Sequence, residues 1–188
     1  MTTAIAAVLS RGLESFNGLP DDEFIDLLTT SCHLPVRAWA VAVDGRRPFA
    51  DVGSLLETAG ASVDLLTDDD VDAAHHGLRR IGSKLEGDSL EDRWSRQESG
   101  LVRRDEETWR LLEPAHEGYE AKHGRTFLIS ATGLSTEQIL DALRSRTALT
   151  REEENRAAKD ELRKLVEVRL RKLLTALGEA VTDGSAAS

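Results

Sequence analysis

The segment Thr150–Leu177 has the apolar spacing of one long amphipathic helix. It opens with a threonine and nearby glutamates, a combination that satisfies the free backbone groups of a helix start and suits the positive end of the helix dipole. Apolar residues such as Leu162, Leu165 and Leu173 then follow at helical spacing. A chain organised around such a segment is predicted to be rich in helix.

The rest of the chain carries the same kind of signal. Acidic residues after Pro20, Thr67 and Ser135 mark further helix starts. Phe127–Ala131 is apolar and extended, but it is too short and isolated to predict a sheet. The predicted helices run from Ile5 to Phe16, from Pro20 to Cys32, from Pro35 to Val43, from Asp51 to Gly60, from Thr67 to His75, from Ser89 to Arg103, from Asp105 to Lys122, from Ser135 through Leu143, and from Thr150 to Leu177.

The predicted fold class is therefore an all-α, single-domain multi-helix bundle. The 188 residues suffice for one domain with a proper core, and no repeat or linker divides them. Residues 1–15 are predicted to form an N-terminal extension or short helix, and residues 16–178 the helical domain. Residues 179–188 are predicted to be a disordered tail, because the last of them are small and polar.

The amino-acid composition limits which binding partners and which cellular compartment are expected. The net charge of −10, without a long basic stripe, argues against binding to nucleic acid or an anionic membrane surface. Cys32 is the only cysteine, which excludes an internal disulfide and favours a reducing compartment. No apolar run approaches the roughly 20 residues of a membrane span, and Ala4–Leu9 lacks the basic residues of a signal peptide. A cytoplasmic protein without nucleic-acid or membrane partners is expected.

Two charged residues fall where the helical phase predicts apolar side chains. With Leu162 at zero and roughly 100° per residue, Leu173 lies at about +20° and Arg169 at about −20°, in the middle of the apolar stripe. In the helix predicted to begin at Ser89, Glu98 lies about 40° from Trp94 on the apolar face. An unpaired buried charge is costly, so each residue needs a partner or a function.

Arg169 and Glu98 can be interpreted in two ways. They could form a structural ion pair, or Arg169 could extend its guanidinium to the surface. Alternatively, an arginine, a carboxylate and a nearby histidine could share a desolvated pocket that clamps a small anion and moves a proton. Helical phase leaves both interpretations open.

The candidate histidines lie in Asp72–Lys84, a basic segment of this acidic chain. The segment contains His75 and His76, and Gly77 is expected to end the preceding helix. Histidine titrates near neutral pH, so a proton donor or acceptor is best sought here. The alternative is a polar helix end whose histidines cap carbonyls and whose arginines face solvent.

Motifs spread roughly from Phe16 to Leu177 have an order and spacing that match one known family. They are Arg47-Pro48-Phe49, Ser95-Arg96-Gln97-Glu98 (Ser-x-x-Glu), Tyr119–Gly124, Phe127–Gly133, and Glu154, Glu161-Leu162, Leu165 and Arg169-Leu170 on the final helix. Together they resemble the 2-oxo-4-hydroxy-4-carboxy-5-ureidoimidazoline (OHCU) decarboxylases of the urate-to-allantoin pathway.

The resemblance implies a cofactor-free, all-helical lyase that usually forms a homodimer. It implies a small anionic ureido-imidazoline substrate, which loses CO2 to leave a carbanion delocalised into the ring, and protonation then gives (S)-allantoin. The implied catalytic residues are Arg169 to stabilise negative charge, Glu98 to orient the heterocycle, and a histidine, here His76, to handle the proton; no metal is implied. The residues implied to line the substrate pocket are Ser95, Arg96, Gln97, Ser99, Phe127, Leu128, Ile129, Ser130 and Ala131.

The histidine is where this sequence departs from the family pattern, His-Pro-Arg-Ile-Gly. Arg80-Ile81-Gly82 matches the second half of that pattern, which puts Leu78 at the histidine position when no gap is allowed. His76 takes the role if the loop accommodates two extra residues, and the alternatives are His75 or no histidine. The alternative function is therefore a repurposed homologue, which acts on another small heterocyclic metabolite or serves as a non-catalytic binding module.

Two other groups of reactive residues carry weaker signals. One is a set of metal-type residues on a single predicted helix, which is interpreted as a solvated face or local ion pairs because the spacing lacks the second histidine of a zinc protease. Its members are Glu113, His116, Glu117, Glu120 and His123. The other is Cys32 beside His33, where Cys32 is interpreted as a small core residue.

Overall fold

The computed structural model describes residues 2–32, 34–76, 80–81 and 106–185. Within those ranges the regular structure is entirely helical, which confirms the all-α prediction. The predicted helix Ser89–Arg103 lies outside the described residues. The helices are α1 (Thr2–Asn17), α2 (Asp21–Ser31), α3 (Arg37–Asp44), α4 (Val52–Asp64), α5 (Asp68–His75), α6 (Glu106–His123), α7 (Thr136–Ala148) and α8 (Arg151–Ser185).

Four of the described helices begin with reciprocal capping bonds. In each, the residue before the helix and the third helical residue exchange hydrogen bonds between side chain and backbone, which satisfies amides that the helix leaves unpaired. At α7, for example, the Ser135 amide donates to Gln138 Oε1 at 2.8 Å and the Gln138 amide donates to Ser135 Oγ at 3.3 Å. The pairs are Asp51 with Ser54, Thr67 with Asp70, Ser135 with Gln138, and Thr150 with Glu153. These four helix starts were predicted correctly.

Gly60 does not end α4, contrary to the sequence-based expectation. The helix continues to Asp64, and Gly60 is buried within it. A Cβ at Gly60 would lie 3.3 Å from Cγ of Arg163 on α8. The glycine therefore permits a close approach of two helices, and a close approach leaves no signature in a single-sequence pattern.

The end of α8 also differs from the expectation. The helix continues past Leu177 to Ser185 and includes the first residues of the predicted disordered tail. Its last turns pack closely against α1, since a Cβ at Gly12 would lie 1.9 Å from the Leu174 carbonyl oxygen and one at Gly178 would lie 2.1 Å from the Val8 carbonyl oxygen. This α1–α8 contact gives the last turns tertiary support.

The helices group into two compact units, residues 1–70 with 163–188 and residues 71–162. In the first unit α2 packs on α3 and α3 packs on α4. The large buried side chains there include Phe16, Phe24 and Trp39, and the Trp39 indole donates to the Ala59 carbonyl at 3.1 Å.

Arg47-Pro48-Phe49, one of the motifs that carry the resemblance, has a structural position in the first unit. Arg47 donates to the carbonyl of Leu19 at 2.6 Å, and its guanidinium lies 4.2 Å from the centre of the Phe24 ring. The Phe49 amide and carbonyl both bond to the Asn17 side chain at 2.9 Å. These bonds fasten the turn after α3 to the end of α1.

The second unit has its own apolar core. In this unit α6 packs on α7, and the irregular segment between them contributes to the same core. The fully or nearly fully buried members are Leu112, Tyr119, Phe127, Ala131, Ile139 and Leu143. No helix in the described part of the chain has both the length and the apolar character needed to cross a membrane.

Candidate functional site

Arg169 lies in the interior of the first unit. Its side chain is 0% exposed, as the helical phase predicted, and it is not an isolated charge. Cys32 is also fully buried, and burial raises the pKa of its thiol to about 12 against the opposing effect of the Arg169 charge. Cys32 is therefore a core residue, as predicted, and its thiol stays protonated.

Glu154, near the start of α8, is the centre of a buried charged network in the second unit. The Tyr119 hydroxyl donates to Glu154 Oε1 at 2.5 Å, and Arg146 donates to both carboxylate oxygens, from Nε at 2.9 Å and from Nη2 at 2.5 Å. Arg125 Nη2 lies 3.7 Å from the same carboxylate. Burial opposes the ionisation of Glu154, but the hydrogen bonds and charge of Arg146 outweigh it and lower the pKa.

Asp72, one turn before His76, bonds to two arginines of the second unit. Arg125 Nη1 donates to Oδ1 at 2.8 Å, and Arg151 Nη2 donates to Oδ2. Partial burial works against ionisation of Asp72, but the hydrogen bonds from the two guanidinium groups outweigh it and lower the pKa. The last turn of α5 is therefore tied by charge to the segment after α6 and to the start of α8.

The two histidines at the end of α5 have opposite environments. His75 is 3% exposed, and its Nδ1 lies 2.6 Å from the Val71 carbonyl. Burial is the main reason that the pKa of His75 falls to about 4, so this imidazole is neutral near pH 7. His76 is exposed, with Nδ1 3.0 Å from the Asp72 carbonyl. When Nδ1 donates to that carbonyl, Nε2 of the neutral ring carries the lone pair that can accept a proton.

The residues Arg80 and Ile81 are fastened to α6. Arg80 donates to both oxygens of Glu120, from Nε at 2.9 Å and from Nη2 at 2.6 Å. This pairing is the main reason that the pKa of Glu120 is lowered. The Ile81 carbonyl lies 3.1 Å from Nε2 of the buried His116, and burial lowers the pKa of that histidine, which favours a neutral ring that donates this bond.

Phe127–Ala131 forms an irregular segment between α6 and α7. Its backbone is partly engaged within the protein, because Arg146 Nη1 donates to the Leu128 carbonyl at 2.7 Å and the Ser130 amide donates to Glu161 Oε2 at 2.8 Å. The assignment of Phe127–Ala131 to substrate binding stays a prediction.

The described residues include only part of the predicted site. Arg169 lies in the first unit, whereas His76 and Phe127–Ala131 lie in the second. The predicted site residues Ser95, Arg96, Gln97, Glu98 and Ser99 lie outside the described residues, as does Leu78. Among the described residues, no three histidine, cysteine, aspartate or glutamate side chains are grouped as a metal site requires.

The buried Glu154–Arg146 pair is a feature that the sequence prediction did not include. A signal for it was present, since Arg146 follows Ile139 and Leu143 at spacings of seven and three residues and so falls on the apolar face of α7. The phase argument that identified Arg169 applies equally to Arg146, which is 8% exposed.

The sequence of this chain matches the model of one known protein family. The sequence model of the OHCU decarboxylases matches residues 17–171. The chain belongs to the OHCU decarboxylase family. The predicted family is thus confirmed, and α1 and the last turns of α8 lie largely outside the matched residues. No curated protein sequence matches the chain.

The solved structures that resemble this OHCU decarboxylase family member include two crystal structures. A crystal structure of OHCU decarboxylase in the presence of (S)-allantoin is 19% identical, with a TM-score of 0.63 over 76% of this chain and 94% of that chain. A crystal structure of (S)-allantoin synthase is 14% identical, with a TM-score of 0.62 over 86% of this chain and 53% of that chain. The chain therefore spans about half the length of the synthase. At these identities the likeness establishes the fold.

Proposed function

We propose that the protein is a carboxy-lyase that converts OHCU to (S)-allantoin without a cofactor. The observation that carries the proposal is the family match over residues 17–171, which includes every motif on which the resemblance rests. The burial of Arg169, a residue of the last of those motifs, supports it. The remaining elements of the proposal are the residue roles, the substrate and the assembly.

The proposed reaction breaks the bond between the substrate carboxylate and the ring carbon. The electron pair stays with the ring as CO2 leaves, and a proton then completes (S)-allantoin. Arg169 is assigned to stabilise the negative charge, because arginine remains charged when buried and a charge acts more strongly in a low-dielectric site. Glu98 is assigned to orient the heterocycle by hydrogen bonding. The Ser95–Ser99 turn and Phe127–Ala131 are assigned to contact the substrate.

His76 is preferred to His75 as the residue that handles the proton. A general acid or base must exchange its proton with the substrate near the working pH. His75 is buried and its pKa is lowered to about 4, so it is poorly suited to that exchange. His76 is exposed, and its Nδ1 contact with the Asp72 carbonyl leaves Nε2 for proton transfer.

The proposal also includes the context of the enzyme. A homodimer in the cytoplasm, acting on a small anionic ureido-imidazoline or related heterocycle, is expected without nucleic-acid or membrane partners. The net charge of −10 supports the exclusion of anionic polymers and surfaces. Light scattering of the purified protein measures the dimer directly.

A second candidate function is favoured by Leu78, which occupies the ungapped histidine position. A homologue without the family histidine would act on another small heterocyclic metabolite or bind one without turnover. Under this alternative, the purified protein does not accelerate OHCU decarboxylation, and His76→Ala does not change the measured rate.

The decisive assay generates OHCU freshly and follows its conversion beside the spontaneous reaction. Circular dichroism reports an excess of (S)-allantoin, which a reaction without a chiral catalyst does not produce. We expect His76→Ala to lower the rate by roughly 10²–10⁴-fold, the usual contribution of a general acid or base. An undiminished rate in this variant contradicts the assigned role.

Arg169→Leu tests the assigned arginine. We expect a folded protein with lost activity, and Arg171→Leu is the matched control because Arg171 is exposed and pairs with Glu167 on the same helix. Failure of Arg169→Leu to fold, beside a folded control, would instead identify Arg169 as a structural residue.

A further inference from the structure

Hydrogen bonds hold the residues on both sides of residues 77–79 against other elements of the second unit. Before these residues, the Asp72 carboxylate bonds to Arg125 and Arg151. After them, Arg80 bonds to Glu120. We propose that Asp72 and Glu120 are positioning residues that fix the place and the tautomer of His76. The inference rests on the proposed function, in which His76 handles the proton.

The first fastening acts on the His76 ring through one residue. The Asp72 side chain is held by Arg125 and Arg151, and the Asp72 carbonyl lies 3.0 Å from His76 Nδ1. The arginines therefore immobilise the residue whose backbone carbonyl accepts the hydrogen bond from the imidazole. That bond selects the tautomer with hydrogen on Nδ1 and leaves the lone pair on Nε2. The Asp72 carbonyl orients the His76 ring, and the Asp72 carboxylate holds that carbonyl in place through Arg125 and Arg151.

The second fastening holds Arg80 and Ile81 against α6 and the core of the second unit. Arg80 and Glu120 form a two-bond pair, which fixes direction as well as distance. The Ile81 carbonyl adds a bond with the buried His116, and Ile81 packs against the apolar core of the second unit. Four residue steps from His76 to Arg80 can span at most about 14 Å. Holding Arg80 on α6 therefore keeps His76 within that distance of Arg80, and the Asp72 anchor fixes its place further.

Local stability alone does not explain the charges of the Arg80–Glu120 anchor. The Arg80 and Glu120 side chains are still 28% and 26% exposed, so solvent screens their attraction more than it would that of a fully buried pair. A two-bond pair at such a place adds geometry more than stability. Catalysis depends on that geometry, since a displacement of roughly 1 Å in a reacting group can cost about 100-fold in rate.

The test compares anchor variants with neighbours that carry the same charge. Glu120→Ala is matched by Glu107→Ala, which removes an exposed glutamate of α6, and Asp72→Asn is matched by Asp69→Asn on α5. We expect the anchor variants to lower kcat by roughly 10- to 100-fold with little change in KM, and the controls to match the wild type. The exchanged pair Arg80→Glu with Glu120→Arg should recover most of the activity that Glu120→Ala loses.

A second measurement does not depend on turnover. Nitrogen NMR of the ligand-free protein reports the tautomer of the His76 ring. We expect hydrogen on Nδ1 in the wild type and controls, and a mixture of tautomers in Asp72→Asn and Glu120→Ala. If the wild type fails to accelerate the reaction, the proposed function fails, and the tautomer measurement alone then decides the positioning role.

Two outcomes would overturn the inference. One is an active wild type whose folded anchor variants have the kcat of their controls. The other is an unchanged His76 tautomer in both anchor variants. If Asp72→Asn does not fold, because it leaves the buried Arg125 without its partner, Glu120→Ala decides the question, since its pair is partly exposed.

Discussion

Gly12→Ala should destabilise the protein although alanine favours helix. In α1 the new methyl group would lie 1.9 Å from the Leu174 carbonyl oxygen and 2.7 Å from the Leu174 carbonyl carbon. Ordinary contacts begin near 3.4 Å, so α1 and α8 would have to separate locally by roughly 1.5 Å. The obstacle is helix backbone, which cannot rotate aside as a side chain can.

The expected magnitude follows from two opposing terms. Overpacking of this kind costs about 1–3 kcal/mol or more, and a rigid backbone obstacle puts Gly12 at the upper end of that range. Replacing a helical glycine by alanine returns about 1 kcal/mol. The net loss in the free energy of unfolding is therefore about 2 kcal/mol. Gly178→Ala should behave alike, because its Cβ would lie 2.1 Å from the Val8 carbonyl oxygen.

Gly118→Ala is the matched control, since it lies inside α6 and a Cβ there meets nothing within 4 Å. It should stabilise the protein by up to about 1 kcal/mol. Urea denaturation of the wild type and the three variants measures the differences in the free energy of unfolding. Amide exchange in α1 shows whether this helix separates from α8. A Gly12→Ala protein as stable as wild type, with α1 still protected, would refute the close-contact argument.

Three further outcomes follow from buried groups. The unfolded chain binds a proton on His75 as the pH falls below about 6.5, whereas the native state binds it only near pH 4. The free energy of unfolding should therefore fall by up to roughly 3 kcal/mol as the pH is lowered across that window. His75→Asn should flatten this part of the curve in pH-dependent denaturation. Glu154→Gln leaves the buried Arg146 without its countercharge and should cost about 3–5 kcal/mol in urea denaturation, whereas Glu152→Gln at an exposed site should cost little. Cys32 should resist thiol reagents in the native protein and react once the chain is unfolded, because burial raises its pKa to about 12.

The sequence predicted local structure well where the cause is local. The starts of α4, α5, α7 and α8 were predictable because capping residues lie three positions apart and contact one another. The helix ends at Gly60 and Leu177 were wrong because those expectations read glycine and small residues as local signals. At Gly60 and Gly178 the glycine instead makes room for a distant helix, which a single sequence does not reveal.

The candidate site was predictable to a different extent. Helical phase placed Arg169 in the interior, and the same rule would have placed Arg146 there. The partners of Arg146 were out of reach, because Glu154 and Leu128 come from separate segments whose contacts depend on tertiary packing. The opposite environments of His75 and His76 were equally hidden, since adjacent residues at a helix end differ only through what packs on each side.

The four capping pairs of the described helices differ in how they respond to acid. Those of α4, α5 and α8 each use a carboxylate, from Asp51, Asp70 and Glu153. The start of α7 uses the neutral amide of Gln138. A protonated carboxyl loses its attraction to the helix dipole and accepts hydrogen bonds more weakly. Acidification therefore weakens three of these reciprocal caps together, whereas the Ser135–Gln138 cap of α7 keeps its hydrogen bonds.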